Sequence, residues 1–360
     1  AVPLPKNRQE LGKSVVLDEL IRKQVLPRFP VGARTTVTRL AGGLINHTFL
    51  LDDRGVASGG RRYVLQQVSA LFPAAIHENI FAVTTALGRA GLVTPVLLPT
   101  IDGQLCLRLP GAAADGGESV WRLMTYVEGT SFDVLGGTAQ AHAAGALVAR
   151  FHRALDTLTH AFVGLRASVH DTPRHLANLR QSVTIHRQHR LAAAVAPLAG
   201  SILSAATTLP GLPALPPRIC HGDLKLNNFL FAGAQPPLRD QALCLIDLDT
   251  VGPMPLAFEL GDAWRSWCNR NGENQEVAAL DLELFEASLD GYQASLGRPL
   301  SPDERRARLD RGRALADTGR DDREGRPGDD VREVGRRPYE VYGEGVGGVV
   351  GVQPNRCGVG

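Results

Sequence analysis

The sequence predicts an α+β chain of two lobes, a small β-rich N-terminal lobe followed by a larger, mainly helical C-terminal lobe. Two features carry that expectation. Up to about residue 130, short β-branched and apolar runs alternate with turn residues and a single segment has helical spacing; from about Gly137, alanine-rich stretches recur at helical spacing. A chain of 360 residues is also long enough for two compact units, since domains commonly hold about 100 to 200 residues.

The elements follow in order. Residues 1–30 form an N-terminal helical extension containing the amphipathic "LDELIRKQVL". In "TTVTRLAGGLINHTFLLDD" two β-rich runs flank Gly42 and Gly43, which predicts a hairpin. "RRYVLQQV" is a third strand, and "AAIHENIFAVTTALGRAG" is a helix that stops at Gly91. Further strands lie in "TPVLLPTIDGQLCLRL" and "SVWRLMTYVEG", closing a first lobe over 31–129. The second lobe, 130–315, opens with the helix "TAQAHAAGALVARFHRALDTL" and continues in "PRHLANLRQSVTIHRQHRLAAAV" and "SILSAATTL". Within it "LPPRICHGDLKLNNFLF" and "ALCLIDLDTVGP" read as short apolar strands with polar residues at their ends, where side chains face a crevice more often than a core.

Composition excludes several function classes. A net charge of +2 creates no field that calls for nucleic acid or an anionic membrane. No run approaches the roughly 18 apolar residues of a membrane span, and the first twenty residues lack the apolar core of a signal peptide. Cysteines 106, 220, 244, 268 and 357 form no C-x-x-C pair, which argues against a disulfide framework or structural zinc and for a reducing cytoplasm. From Arg311 onward twelve glycines and nine arginines replace the apolar period, so residues 316–360 are expected to be a disordered or frame-shifted tail. Acids interspersed in that tail argue against RNA binding.

The chemistry concentrates in "CHGDLKLNN". Phosphoryl transfer needs a carboxylate near the acceptor hydroxyl, oxygen ligands for magnesium and positive charge over the phosphates. Asp223, then Asn228 five residues on, then Asp247 in "LIDLD" supply the oxygens. Lys225 supplies a cation, and it stands out because the chain has only three other lysines, at 6, 13 and 23. The competing structural interpretation is a polar turn whose aspartates bond to nearby backbone, with Lys225 a solvated loop residue.

Together "HGDLKLNN", "CLIDLDT" and "ELGDAWRS" resemble the aminoglycoside phosphotransferase and choline kinase family, which has a bilobal protein-kinase-like fold. "INHTFLL", "YVLQQV", "HENI" and "IDLDTVGP" are most similar to its N-acetylhexosamine 1-kinase branch, and the likeness runs from about Leu40 to about Leu296. The resemblance implies an ATP- and Mg2+-dependent kinase of a small hydroxyl compound, a sugar first, with aminoglycosides and choline-like alcohols as alternatives. It implies that Asp223 and Lys225 are catalytic, that Asn228, Asp247 and Asp249 hold or support magnesium, and that His221 and Asp262 brace the loop. Gly42, Gly43, Asn46 and Gln66 would line the nucleotide, and Thr125 and Tyr126 the hinge that reads adenine.

The chain departs from that family in one respect. Where the wider family often has a strand lysine, "YVLQ" has Gln66, so either Arg61 or Arg62 replaces the cation or magnesium and the Gly42–Gly43 amides suffice. For Glu78, where a kinase would pair a helix acid with that lysine, a place on the helix surface is then at least as good a reading as a role in the site. The missing lysine also motivates a different class of function, a kinase-like protein that binds nucleotide without catalysis. Gly12-Lys13-Ser14 lacks the preceding glycine of a phosphate loop, and His186 and His189 sit among arginines that would repel a metal.

Overall fold

The computed structural model describes residues 16–40, 45–53, 60–112, 116–165, 171–208, 215–271, 279–302 and 304. Gly42, Gly43 and the tail beyond 304 therefore lie outside the described residues, as does the first half of the opening extension. Strands β1 (Thr36–Arg39), β2 (His47–Asp53), β3 (Arg61–Val68), β4 (Leu97–Leu98), β5 (Leu107–Leu109) and β6 (Ser119–Thr125) build one antiparallel sheet in the order β1-β2-β3-β6-β4, with β5 also on β6.

The period-2 pattern of these strands gives the sheet two different faces. One face carries Phe49, Leu51, Tyr63, Leu65, Trp121 and Leu123, and Ile21, Val25 and Phe29 of the N-terminal helical segment pack on it. The other carries Gln66, Arg122 and Val68, and faces helix α1 (Ile76–Arg89). The apolar stripe Ile76, Ile80, Val83, Leu87 buries α1 against the main core. Gly91, at φ +77°, ends that helix in the left-handed conformation that glycine adopts without strain.

The helical body is organised by α2 (Thr138–Leu155) and α6 (Leu282–Ser295). Ala141, Ala144, Val148, Phe151 and Leu155 recur at helical spacing along the buried stripe of α2. A Cβ on Gly145 would overlap the Ser288 carbonyl, and one on Gly291 the His142 carbonyl, so two glycines set how closely α2 and α6 approach. Helix α3 (Thr172–Ile185) starts at Asp171, whose carboxylate accepts the Arg174 amide at 3.0 Å. The expected helix through "IHRQHR" is broken after Ile185: residues 186–190 form a turn, and α4 (Ala192–Thr208) runs through Pro197 into the "SILSAATT" text. Four basic or ring-nitrogen side chains crowded into five residues favour the turn over a continuous helix.

Two small antiparallel ribbons hold the polar loops. Strand β7 (Arg218–Cys220) pairs with β10 (Gly252–Met254), and β8 (Phe229–Phe231) pairs with β9 (Ala242–Leu245). Helix α5 (Leu256–Trp267) lies beneath them. Sheet and helical body meet at defined points. Thr130 and Phe231 exchange backbone hydrogen bonds of 2.8 and 2.9 Å, and the Asn79 side chain of α1 bonds both Val163 backbone groups.

Candidate active site

The loop 221–228 is held almost entirely by the body beneath it. His221 is buried, with its Nε2 on the Ile246 carbonyl (2.9 Å) and its Nδ1 on the Asp223 amide (3.3 Å). Glu259 of α5 accepts the His221 amide on one oxygen (2.8 Å) and the Gly222 amide on the other (3.0 Å). Burial pushes the Glu259 pKa up, but His152, His221 and the Gly222 amide outweigh it and hold the carboxyl below its ordinary range. Trp267 Nε1 donates to the Leu224 carbonyl at 2.7 Å. Gly222 has φ +85°, and a Cβ there would come within 2.6 Å of the Thr250 carbonyl, so this turn requires glycine.

That scaffold presents the loop's acid half-exposed. Lys225 Nζ lies 2.8 Å from Asp223 Oδ2, and both side chains are about one-third accessible, at 33% and 31%. Asn228 Nδ2 donates to the Asp223 carbonyl (2.8 Å) and to Asp223 Oδ2 (3.1 Å), which commits its nitrogen and leaves its amide oxygen as the group to offer a cation. Asp247 stands at the end of β9 with φ 65°, the one described non-glycine residue with positive φ, a strained conformation that redirects the chain as it leaves the strand. Asp247 is exposed as a residue, while the protein packed around its carboxyl group and the like charge of Asp249 raise its pKa despite Arg122. Asp223 and Lys225 also act on Asp247 electrostatically, the acid raising its pKa and the lysine lowering it. Carboxylate and amide oxygens are the donors that a hard divalent cation takes.

Asp249 differs from Asp247. It is buried, its Oδ1 pairs with Arg122 Nη1, and its Oδ2 accepts Asn46 Nδ2 at 2.8 Å. Burial alone would raise its pKa, but the Arg122 charge and the hydrogen bonds from Arg122 and Asn46 prevail and lower it. Asn46 in turn accepts the Ser69 amide at 2.9 Å, so it joins the turn after β9 to the sheet.

The structure also relocates several expected roles. The brace expected of Asp262 is supplied by Glu259, three residues earlier on α5; Asp262 instead pairs with Arg265 at 2.9 Å on the same helix. The amides of Thr125 and Tyr126 donate to the Val96 and Arg62 carbonyls. Arg62 pairs with Glu128 and covers the Tyr126 ring at 4.5 Å, which places it at the hinge. Arg61 lies across from Asp53 at the far end of β3, about 17 Å of strand from Gln66. Glu78 is exposed, while its neighbour His77 is buried. Sequence reasoning missed Glu259 and Arg122; the signal was an acid in an apolar helix and an arginine inside the apolar strand "SVWRLMT".

A β-sheet followed by a helical body defines the fold as protein-kinase-like. The chain belongs to the Phosphotransferase enzyme family, whose model matches residues 36–310. Among solved structures it is similar to the amicoumacin kinase hAmiN in complex with AMP-PNP, Ca2+ and Ami, at 15% identity over 89% of this chain and 92% of that one, with a TM-score of 0.53. It is also similar to the GDP complex of aminoglycoside 2'-phosphotransferase-IIIa, at 13% identity over 84% of this chain and 87% of that one, with a TM-score of 0.51. Among the described residues, no helix is long and apolar enough to cross a membrane.

Proposed function

We propose that this phosphotransferase moves the γ-phosphoryl group of ATP to a hydroxyl of a small molecule, with an N-acetylhexosamine at its anomeric hydroxyl as the first acceptor. In this reading residues 31–129 bind the nucleotide and 130–315 the acceptor. The observation that carries it is Asp223, half-exposed, with Lys225 Nζ at 2.8 Å and Asn228 on the same carboxylate. Asp223 orients the acceptor hydroxyl and takes its proton as the oxygen bonds to phosphorus; the leaving diphosphate keeps the electron pair of the broken P–O bond. Lys225 balances negative charge on the transferring group. Mg2+, when bound, would neutralise the phosphates, with Asn228 and Asp247 as its oxygen donors and Asp249 behind them.

The preference for a neutral sugar is supported by charge. Residues 172–208 carry Arg174, Arg180, Arg187 and Arg190 and no acid, which is a poor environment for a polycation. Aminoglycosides and choline-like alcohols are the alternative acceptors. The proposed setting is a reducing cytoplasm, supported by four free cysteines among the described residues. Incubation with Mg-ATP and, separately, N-acetylglucosamine, N-acetylgalactosamine, kanamycin and choline tests the reading by ADP release. Turnover is expected with a hexosamine. Turnover with kanamycin or choline alone would replace the acceptor class, and nucleotide binding with no turnover across a broad hydroxyl panel would favour a binding protein.

A further inference from the structure

Arg122 lies in the middle of β6 with its side chain 1% exposed. A guanidinium buried to that degree persists only when fully partnered. Its Nε donates to Gln66 Oε1 at 2.8 Å, directly across the ladder on β3, and its Nη1 pairs with Asp249. Gln66 passes its own Nε2–H to Thr48 Oγ1 on β2 at 3.1 Å. A polar chain thus runs from β2 through β3 and β6 to the turn after β9, and returns to the sheet through Asn46 and the Ser69 amide.

This circuit explains the glutamine. At position 66 an acceptor oxygen is what Arg122 needs; a lysine there would set a second cation against a buried one. The ion pair is also displaced relative to a strand–helix arrangement. No acid of α1 enters it, since Glu78 is exposed, and the helix contributes His77, whose Nδ1 bonds the Ala74 carbonyl at 2.7 Å. The acid comes from the helical body instead, so the pair joins the sheet to the segment that carries Asp247.

We infer that Arg122 is a positioning residue for Asp247: from the sheet it fixes Asp249, and with Leu248 buried in the core the short turn between them holds Asp247 in its left-handed conformation facing the crevice. Buried behind Gln66, Arg122 acts on the metal-binding carboxylate rather than on a bound phosphate. The inference rests on the phosphotransferase reading above, and the following measurement separates the two.

Mn2+ binding to the full chain in the presence of ADP, followed by electron paramagnetic resonance, reads the carboxylate directly. Fluorescent ADP binding without metal reads the phosphate and base contacts. Arg122→Met is expected to weaken Mn2+ binding by about 10- to 100-fold, the scale for residues that orient a metal ligand, while metal-free ADP binding stays within about twofold. Arg122→Lys should recover part of the loss. Adding Asp249→Asn to Arg122→Met should cost little more than the worse single change, because both break one contact. If Arg122→Met does not fold, Asn46→Ala, which frees Asp249 Oδ2 and the Ser69 amide but leaves Arg122 on Asp249 Oδ1, should move Mn2+ affinity in the same direction by a smaller factor. Unchanged Mn2+ affinity in the variant that folds overturns the inference. An equal loss of metal-free ADP binding also overturns it, by making Arg122 a phosphate contact. A wild-type chain that binds neither ADP nor its Mn2+ complex would instead sink the phosphotransferase reading.

Discussion

Asp223 and Lys225 illustrate how far two side chains 2.8 Å apart can differ in what they contribute. The carboxylate has to meet the acceptor hydroxyl, so Asp223→Asn removes the proton acceptor while keeping shape and the Asn228 contact. Turnover should fall by about 10²- to 10⁴-fold, and binding of ADP should be nearly unchanged. Lys225→Met removes charge aimed at the transferring group, so kcat should fall by about 10²-fold with a smaller change in acceptor KM, and Lys225→Arg should restore part of it. Steady-state kinetics for both variants, beside an equilibrium ADP titration, checks the pair. Equal losses in ADP affinity and kcat for Asp223→Asn would place that group on the nucleotide instead. These residues were legible in sequence because the chemistry lies within a few positions of one loop: Asp223, Lys225 and Asn228 fall inside six residues, and a lysine-poor chain makes Lys225 conspicuous.

The brace of that loop was harder to assign, and the reason is helical geometry. Glu259 and Asp262 share α5, three residues apart, which rotates their side chains by about 60° relative to each other. Which acid meets the loop depends on where the helix begins and how it is rolled, and a single sequence specifies neither to that accuracy. The two residues should now separate in experiment. Glu259 is 1% exposed and satisfies two buried amides, so Glu259→Gln turns one acceptor into a donor facing an N–H group. A loss of about 3 kcal/mol or more is expected in urea unfolding, with a parallel loss of activity. Asp262 holds a half-buried pair with Arg265, and Asp262→Ala should stay within about 0.5 kcal/mol. Comparable losses from both changes would return Asp262 to the role first expected of it. Element identities themselves were legible wherever the apolar period was unbroken, as in α1 and α2. Where charge interrupted it, as at "IHRQHR", sequence alone misplaced the helix boundary.

At the scale of the whole molecule, the seam between sheet and helical body is where sequence reading failed, because its contacts join residues far apart in the chain. Arg122 and Asp249 are separated by 127 positions, Asn46 and Asp249 by 203, and no local pattern announces either contact. The same seam predicts a pH dependence of stability. His77 is buried against it, and burial first, then the positive charge of Arg122, pushes its pKa down from the ordinary 6.5 to about 4. The unfolded chain therefore binds a proton between pH 6.5 and 4 that the folded one refuses, and stability falls as pH drops through that window. At 1.36 kcal/mol per unit the shift corresponds to about 3 kcal/mol, fully present above pH 6.5. Asp249 and Glu259, both held below their ordinary values, release their contributions at lower pH, so the upper part of the window belongs to the histidines, His77 with the large shift and His47, also held down by burial and Arg39, beside it. His77→Asn keeps a donor for the Ala74 carbonyl and removes the titration. Urea unfolding at half-unit steps from pH 7.5 to 4.5 should give a steep decline in the wild type and a shallower one in the variant. Parallel curves would show that the proton is taken up elsewhere.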